Sequence, residues 1–204
     1  EHGLAARAVG LGSNLLAADE GVDALILRLG GELAAVETRG DLLIAGGGAA
    51  NSVCLHAARG AGLGGFEFAC AIPGTAGGGV WMNAGAYGGD FSTVLERALV
   101  ATSDGTSWLT ATELGLSYRH SNLRHGQVVV QAELSLVERD PDEIKAEIRV
   151  LNARRKDAQP TNRRNSGVVV PISLTMQPVM RFSAMSIDSI TIASDRRSAP
   201  SPEK

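Results

Sequence analysis

Aromatic residues, cysteines and long apolar runs are all scarce in this sequence, and each shortage excludes a class of protein. Aromatic residues make up only 4% of the 204 residues, and no apolar run approaches the roughly 18–20 residues of a membrane helix. The two cysteines, Cys54 and Cys70, lie in no metal-binding or redox spacing, so we expect buried free thiols in a reducing compartment. The 19 basic and 22 acidic side chains leave a net charge of −3, which indicates neither a nucleic-acid nor a membrane-surface partner.

Glycine, by contrast, is in excess and unevenly placed. It accounts for 25 residues, of which 14 fall between positions 46 and 89 and only four after position 90. Hydrophobic residues make up 44% and charged residues 20%, as in an ordinary globular protein with one large or two small domains. A glycine-rich stretch inside such a sequence predicts backbone packed closely against something, rather than a flexible linker.

The remaining pattern predicts a mixed α+β protein with short strands and few helices. Strand patterns lie at residues 8–11, 25–29, 33–37, 41–45, 98–102, 107–109 and 127–136. Helical spacing covers residues 49–61, and Thr110–Glu113 has the spacing of a capping box that opens a short helix. Asp140 and Pro141 have the side chains that begin a further helix, and Pro160 is expected to end it.

The two ends of the chain differ from its middle. Residues 165–204 hold eight serines and a single glycine, follow no clear period and end in a segment rich in Pro and Ser. We expect this tail to be weakly structured or foreign to what precedes it. The chain has no initiating Met and no pattern of a secretory signal at its start, and it reads as a fragment.

Three segments of small residues are the candidate ligand-binding loops. Gly10–Asn14 is a tight turn after a strand, whose successive N–H groups could form a nest for phosphate oxygens. Ile72–Gly79 and Asn83–Gly89 could offer backbone donors to a diphosphate or lie flat against a planar ring. Two such loops within twenty positions suggest a large, flat ligand. Close helix–sheet packing and an ordinary structural turn are the alternatives for the same glycines.

A polar cluster follows at Tyr118–Ser121. Arg119 could clamp a carboxylate or an oxyanion through two hydrogen bonds, although an arginine beside a tyrosine is also a common surface pair. His56 is expected on the solvent side of its helix. His2, His120 and His125 show no spacing with carboxylates or cysteines that predicts a metal site.

Taken in order, these blocks resemble those of UDP-N-acetylenolpyruvoylglucosamine reductase. The resemblance covers residues 8 to about 164, and six blocks in the right order make it specific. The blocks are Gly12-Ser13-Asn14, Gly65–Ala69, Ile72–Gly78, Asn83–Gly88, Tyr118–Ser121, and Arg155-Lys156 with Gln159-Pro160.

The resemblance implies the α+β FAD-binding fold of the vanillyl-alcohol oxidase (PCMH) type. In that fold two subdomains hold the flavin, and a third domain closes over the substrate. The turn at residues 12–14 would bind the FAD diphosphate through backbone N–H groups, while the later loops would line the diphosphate and the isoalloxazine ring. The cofactor-binding residues implied are Gly12, Ser13, Asn14, Pro73, Gly74, Thr75, Gly77, Gly78, Asn83, Ala84 and Gly85.

The same resemblance implies a reaction. NADPH reduces the flavin, and flavin N5 passes hydride to the enolpyruvyl double bond of a UDP-sugar, which gives UDP-N-acetylmuramate for peptidoglycan. Negative charge then develops at the carboxylate-bearing carbon, where Arg119 matches the arginine that stabilises it. The family's proton donor is a serine in a Gly-Ser pattern, and the corresponding stretch here reads Asn165-Ser166-Gly167, which makes Ser166 the candidate. The implied enzyme is cytoplasmic, and we expect a monomer.

The resemblance also divides the chain and leaves alternatives open. Residues 1–30 would be the remainder of the first FAD-binding subdomain, 31–138 the second, 139–164 a connecting helix and linker, and 165–204 a divergent tail in place of the substrate domain. Because the Gly-Ser order is reversed, we expect this chain not to complete the catalytic cycle. A flavin oxidase of the same fold and a non-catalytic remnant that binds flavin weakly or not at all are the competing interpretations.

Overall fold

The computed structural model describes residues 5–19, 21–158, 170–171 and 190–193, and this part of the chain has the expected α+β architecture. The strands described are β1 (Ala5–Ala8), β2 (Leu15–Leu16), β3 (Ala24–Leu29), β4 (Val36–Arg39), β5 (Leu42–Gly46), β6 (Leu63–Gly64), β7 (Gly85–Ala86), β8 (Gly89–Asp90), β9 (Leu95–Thr102), β10 (Gly105–Thr110), β11 (Val128–Ser135), β12 (Val137–Glu138), β13 (Val170–Pro171) and β14 (Ile190–Ala193). The helices described are α1 (Asn51–Gly60), α2 (Ala76–Trp81) and α3 (Pro141–Ala158), with 3-10 turns at Gly31–Ala34, Glu67–Ala71 and Phe91–Thr93.

A five-stranded antiparallel sheet forms the centre of the described chain. Its strand order is β10-β9-β11-β5-β4. Because side chains alternate along a strand, one face carries the core, and Ala45, Ala132 and Ala98 lie side by side across three strands with no exposed surface. These small side chains leave room for α2 to pack closely on β11. The sheet thereby brings the glycine-rich helix against its buried face.

Apolar side chains of α1 and a cluster of three phenylalanines complete this core. Cys54 and Ala58, four residues apart on α1, are fully buried, as helical spacing predicts. The rings of Phe66, Phe68 and Phe91 meet edge to face, with centroids 5.3 to 6.1 Å apart. This cluster supports the segment that leads into α2.

Helix α3 begins and packs as its sequence predicts. The Asp140 carboxylate accepts a hydrogen bond from the Asp142 backbone N–H at 2.8 Å. Arg139, just before the helix, donates to Glu67 and to Glu147, each at 3.0 Å. Glu67 is buried, so this ion pair fixes the start of α3 to the core. The position at which Pro160 was expected to end the helix lies outside the described residues.

A second, smaller sheet lies at the N-terminal end of the chain. In this sheet β3 pairs in parallel with β1 and antiparallel with β14. A separate two-stranded sheet pairs β2 in parallel with β13. The two partners β13 and β14 belong to the segment 165–204, in which the sequence pattern predicts no strand. The rest of that segment, with Ser166, lies outside the described residues.

Several sequence predictions of local structure are confirmed, and three are wrong in part. The strands near residues 25–29, 41–45 and 127–136, the hairpin β9–β10 and helix α1 are present. The strand predicted at 8–11 ends at Ala8, and the turn takes the residues after it. In the segment 33–37 the strand is limited to the first residues of β4, because Leu33 and Ala34 belong to the 3-10 turn Gly31–Ala34. The Leu33 carbonyl of this turn accepts from the Gly48 N–H at 2.8 Å.

The capping box at Thr110 and Glu113 forms its reciprocal hydrogen bonds without a helix. The Glu113 carboxylate accepts from the Thr110 N–H at 2.8 Å, and the Thr110 hydroxyl accepts from the Glu113 N–H at 3.3 Å. Gly115 then takes a left-handed conformation at φ +54°, and its N–H bonds to the Thr112 carbonyl. The chain is therefore reversed after a single turn.

The two cysteines are free, and we expect them to differ strongly in reactivity. Burial raises the pKa of the Cys54 thiol to about 12 and also raises that of Cys70, which is only half-buried. The thiolate is the reactive form, so in native protein at pH 8 a thiol reagent should label Cys70 slowly and leave Cys54 unmodified. Mass spectrometry with and without denaturant measures this. Equal labelling of both cysteines in native protein would contradict the packing of α1.

Helices suited to a membrane are not found among the described residues, where none is both long and apolar enough to span a bilayer.

Candidate functional site

A cavity of about 1360 Å³ lies where the N-terminal strands, α2 and the end of α3 meet. The three small-residue segments predicted as ligand-binding loops all contribute to its wall. Of the residues predicted to bind a cofactor, those that line it are Gly12, Ser13, Asn14, Pro73, Thr75, Gly77, Gly78, Ala84 and Gly85. Typical small-molecule pockets hold roughly 300–1,000 Å³, so this cavity has room for a ligand of dinucleotide size.

The first segment is fastened to the second by direct contacts. The Ser13 hydroxyl donates to the Pro73 carbonyl at 2.9 Å, and Gly12 takes the left-handed conformation with φ +70° that the turn requires. A side chain at Gly10 would lie 2.7 Å from the Thr75 hydroxyl. The absence of a Cβ there lets the two loops close on each other and form one continuous wall.

Helix α2 is short and presents three glycines to three different surroundings. The Thr75 side chain caps the helix by accepting from the Gly78 N–H at 3.3 Å. A Cβ at Gly77 would lie 2.8 Å from the Gly47 carbonyl oxygen, and one at Gly79 would lie 2.3 Å from two ring carbons of Phe91. Gly78 is exposed, and its Cβ would meet only the Thr75 hydroxyl, at 3.5 Å. Two glycines therefore allow close packing, while the third opens the cavity wall.

The third segment is braced from behind by Asn83. This residue is buried with a left-handed φ of +39°, and its amide nitrogen donates to the Asp90 carboxylate and to the Ser117 carbonyl at 3.0 Å. Its amide oxygen accepts from the Ser92 N–H at 2.8 Å. All the polar atoms of the side chain thus bind protein groups.

Two residues predicted to bind a cofactor, Gly74 and Asn83, lie behind the cavity lining. Gly74 has a φ of +140°, and its carbonyl accepts from the Asn51 N–H at 3.0 Å. Both residues make hydrogen bonds within the protein, and their part in binding a cofactor stays a prediction. Ser166, the proton-donor candidate, lies outside the described residues.

Asn83→Ala should destabilise the protein by about 2–3 kcal/mol, because three hydrogen bonds are lost and buried partners are left unsatisfied. Denaturant unfolding of the apoprotein measures this free energy. Asn122→Ala, at an exposed asparagine, is the matched control and should change it by less than about 0.5 kcal/mol. An Asn83 variant with unchanged stability would remove the bracing role.

Arg119 reaches the cavity from a strained turn. Its backbone has φ +55°, and the Ser117 and His120 backbones form the two hydrogen bonds that close the turn. The guanidinium lies 3.5 Å from the Gly85 carbonyl oxygen and 5.9 Å from the centre of the Tyr118 ring. Its side chain is half-buried in the lining. The predicted carboxylate clamp thus stands beside the third small-residue segment.

The lining has a strongly positive character that the net charge of the chain conceals. Among the residues that the structure describes, it contains Arg7, Arg28, Arg119 and Arg155 and no Asp or Glu. Arg155 reaches it from the far end of α3, whose other end is fixed by the Arg139 ion pairs. A cavity with four cations and no anion favours an anionic ligand such as a diphosphate.

His125 and Trp81 form a planar surface in the same lining. Their rings stack with centroids 6.5 Å apart and an angle of 29°. Desolvation, and to a smaller extent the nearby Arg7 guanidinium, lower the pKa of His125. The imidazole is therefore mainly neutral at neutral pH and presents a ring rather than a charge to the cavity. No group of His, Cys, Asp and Glu suited to a metal ion occurs in the described segments.

Sequence reasoning missed part of this lining. The residues it did not single out as site residues are Arg7, Arg28, Gly47, Gly48, Asn51, Trp81, His125 and Arg155. Gly47 and Gly48 carried a local signal, since they extend the run of three glycines that ends β5. A Cβ at either would meet a backbone carbonyl within 2.5 Å. Arg155 belongs to one of the blocks that carry the resemblance but was given no role in the site. The others carried no local signal, because they come from elements far apart along the chain.

Comparison with known proteins agrees with this geometry. The family described as "FAD binding domain" matches residues 1–110. UDP-N-acetylenolpyruvoylglucosamine reductase of Bacillus licheniformis is 39% identical over 172 residues, which are 83% of this chain and 57% of the relative. UDP-N-acetylenolpyruvoylglucosamine reductase 2 of Symbiobacterium thermophilum is 42% identical over the same share of this chain and 56% of its own length.

A solved structure shows the same similarity in three dimensions. The crystal structure of UDP-N-acetylenolpyruvylglucosamine reductase from Thermus caldophilus superposes with a TM-score of 0.73 at 36% sequence identity. It covers 80% of this chain and 59% of that one. The chain thus spans less than three fifths of the length of these relatives.

The residues of the cavity fit the cofactor that the family name states. Glycine loops without side chains leave space for a flat, extended molecule, and four arginines offset the charge of a diphosphate. The expectation of an α+β FAD-binding fold is confirmed, as is the resemblance to the UDP-N-acetylenolpyruvoylglucosamine reductases. This chain belongs to the FAD-binding domain family.

Proposed function

We propose that this chain is the FAD-holding part of an NADPH-dependent reductase that converts UDP-N-acetylglucosamine enolpyruvate into UDP-N-acetylmuramate for peptidoglycan. The observation that carries the proposal is a single cavity that combines three side-chain-poor loops with an all-positive set of charged residues. FAD, NADPH and a UDP-sugar all carry a diphosphate, so the same charge pattern suits each of them. The names of the relatives supply the substrate.

The roles of the residues follow from their places in the cavity. The turn at Gly12–Asn14 would hold the FAD diphosphate through backbone N–H groups. The start of α2, whose own N–H groups already donate to protein acceptors, would line the diphosphate with backbone that carries no side chain. Bound FAD supplies hydride chemistry at flavin N5. Arg119 binds the substrate carboxylate with two N–H groups and stabilises the negative charge that develops next to it.

The division into subdomains belongs to the same proposal. Residues 1–30 complete one FAD-binding subdomain and residues 31–138 form the other, with residues 139–164 as the connection. The proton donor would then come from the segment after this connection, with Ser166 as its candidate. We propose a cytoplasmic monomer.

One experiment separates the proposed reductase from the two competing interpretations, a flavin oxidase and a non-catalytic remnant. The purified chain is titrated with FAD, and bound flavin is followed by absorbance and by quenching of its fluorescence. NADPH is then added without oxygen. Bleaching of the flavin band supports the reductase, whereas a flavin oxidase is reduced by an alcohol or sugar and not by NADPH. A chain that binds no FAD would be the non-catalytic remnant.

A further inference from the structure

Asn51, the first residue of α1, has the only buried side-chain nitrogen or oxygen atom without a hydrogen-bond partner in the described part of the chain. The residue is 1% exposed and lines the cavity, and its amide oxygen Oδ1 has no hydrogen-bond partner. Buried polar atoms in proteins are almost always paired, so a lone exception beside a ligand cavity requires an explanation.

The orientation of the Asn51 amide is fixed by its neighbours. Its Nδ2 donates to the Ile72 carbonyl at 3.3 Å, and its backbone N–H donates to the Gly74 carbonyl at 3.0 Å. A flipped amide would set Oδ1 against the Ile72 carbonyl oxygen, and two acceptors repel each other. The oxygen is therefore the free atom, and an acceptor is what Asn51 can offer to a ligand.

The chemistry of an acceptor selects the part of the ligand that it can bind. An ionised diphosphate carries no donor and cannot pair with Oδ1, whereas a sugar hydroxyl can. The Asn51 amide lies beside Gly74, whose neighbour Pro73 accepts a hydrogen bond from Ser13. Asn51 is therefore next to the loops assigned to the diphosphate. The groups directly next to the diphosphate of FAD are the ribityl chain on one side and the ribose on the other.

We propose that Asn51 Oδ1 accepts a hydrogen bond from a ribityl or ribose hydroxyl of FAD. This inference rests on the proposed binding of FAD in the cavity. Asn51 thereby couples the cofactor to the segment Ile72–Gly74, since one side chain contacts both. It also explains why a polar side chain occupies the start of an otherwise apolar helix face.

The test is a thermodynamic cycle that compares FAD affinity between a protein variant and modified cofactors. Wild type and Asn51→Leu, which keeps the size and removes the acceptor, are titrated with FAD and with FAD analogues that each lack one ribityl or ribose hydroxyl. FAD should bind about five- to tenfold more weakly to Asn51→Leu. One analogue should show the same loss on wild type and no further loss on the variant, and its missing hydroxyl identifies the donor as ribityl or ribose.

Asn152→Leu, at a half-buried asparagine of α3 outside the lining, is the matched control and should bind FAD as wild type does. Losses that simply add for every analogue would overturn the proposal and leave Asn51 as a structural brace. If Asn51→Leu does not fold, equal affinity of wild type for FAD and for every analogue overturns it instead. Wild type that binds no FAD would remove the proposed function as well, and this outcome is distinct from the others.

Discussion

Gly77→Val is expected to destabilise the protein by about 3 kcal/mol or more, while Gly78→Val, one residue further on, leaves the fold intact and removes FAD affinity. A Cβ at position 77 would lie 2.8 Å from the Gly47 carbonyl oxygen and 3.0 Å from that of Val129. Both oxygens belong to backbone of the sheet region, which cannot move aside as a flexible side chain can. Valine adds two further methyl groups to the same contact.

Gly78 is exposed to the cavity rather than packed on the sheet, so its substitution should weaken FAD binding with little or no loss of stability. A Cβ there meets only the Thr75 hydroxyl, at the ordinary contact distance of 3.5 Å. Gly78→Ala should even raise the free energy of unfolding of the apoprotein by up to about 1 kcal/mol, since alanine is the better helix former. FAD should bind at least about tenfold more weakly, because the methyl group occupies the surface assigned to the diphosphate.

Denaturant unfolding without cofactor and fluorescence titration with FAD together separate the two effects. Gly60→Ala, at the exposed end of α1, is the matched control, because a Cβ there meets nothing within 4 Å. It should gain the same helix propensity and bind FAD unchanged. Undiminished FAD affinity in Gly78→Val would make all three glycines of α2 packing residues.

Much of the fold was predictable because its signals are local. Helix α3 follows from the cap at Asp140, which needs only the next two residues to form its bond. The hairpin β9–β10 and the buried strand β11 likewise follow from their own alternation of side chains. The capping box at Thr110 shows the limit, since its bonds form as predicted while Gly115 ends the turn before a helix can grow.

The site was predictable only where its residues are neighbours in the sequence. The three small-residue segments could be found in the sequence. Their glycines could not be divided into those needed for close packing and those that leave space for a ligand. Both Gly77 and Gly78 line the cavity, and only the distant backbone of Val129 shows that a side chain at Gly77 would clash while one at Gly78 would not. The positive lining was hidden for a similar reason, because Arg7 and Arg155 lie almost 150 positions apart. Asn51 was hidden too, since its significance rests on an atom left unpaired by the fold.

In a full-length relative, the substitution that matches Arg119→Met is expected to abolish reaction with the enolpyruvyl substrate, and in this chain Arg119→Met should leave flavin binding and reduction by NADPH nearly intact. Among the described residues the guanidinium makes weak contacts, 3.5 Å from the Gly85 carbonyl oxygen and 5.9 Å from the centre of the exposed Tyr118 ring, so its loss costs the fold little. The backbone at position 119 has φ +55°, and arginine and methionine are equally strained there, so the substitution does not change this strain. Loss of one preorganised donor to a developing oxyanion typically lowers a rate by about 10²–10³-fold.

Stopped-flow absorbance measures the two half-reactions separately. The flavin band bleaches with NADPH in the first and returns with the enolpyruvyl substrate in the second, and only the second should slow in the full-length relative that carries the matching arginine-to-methionine substitution. Arg119→Lys should recover little of the rate, because a point charge cannot reproduce the two parallel N–H groups that hold a carboxylate. Arg124→Met, at an exposed arginine outside the lining, is the matched control. Equal damage to both half-reactions would instead place Arg119 in support of the flavin, where the nearby Gly85 carbonyl already holds it at the cavity wall.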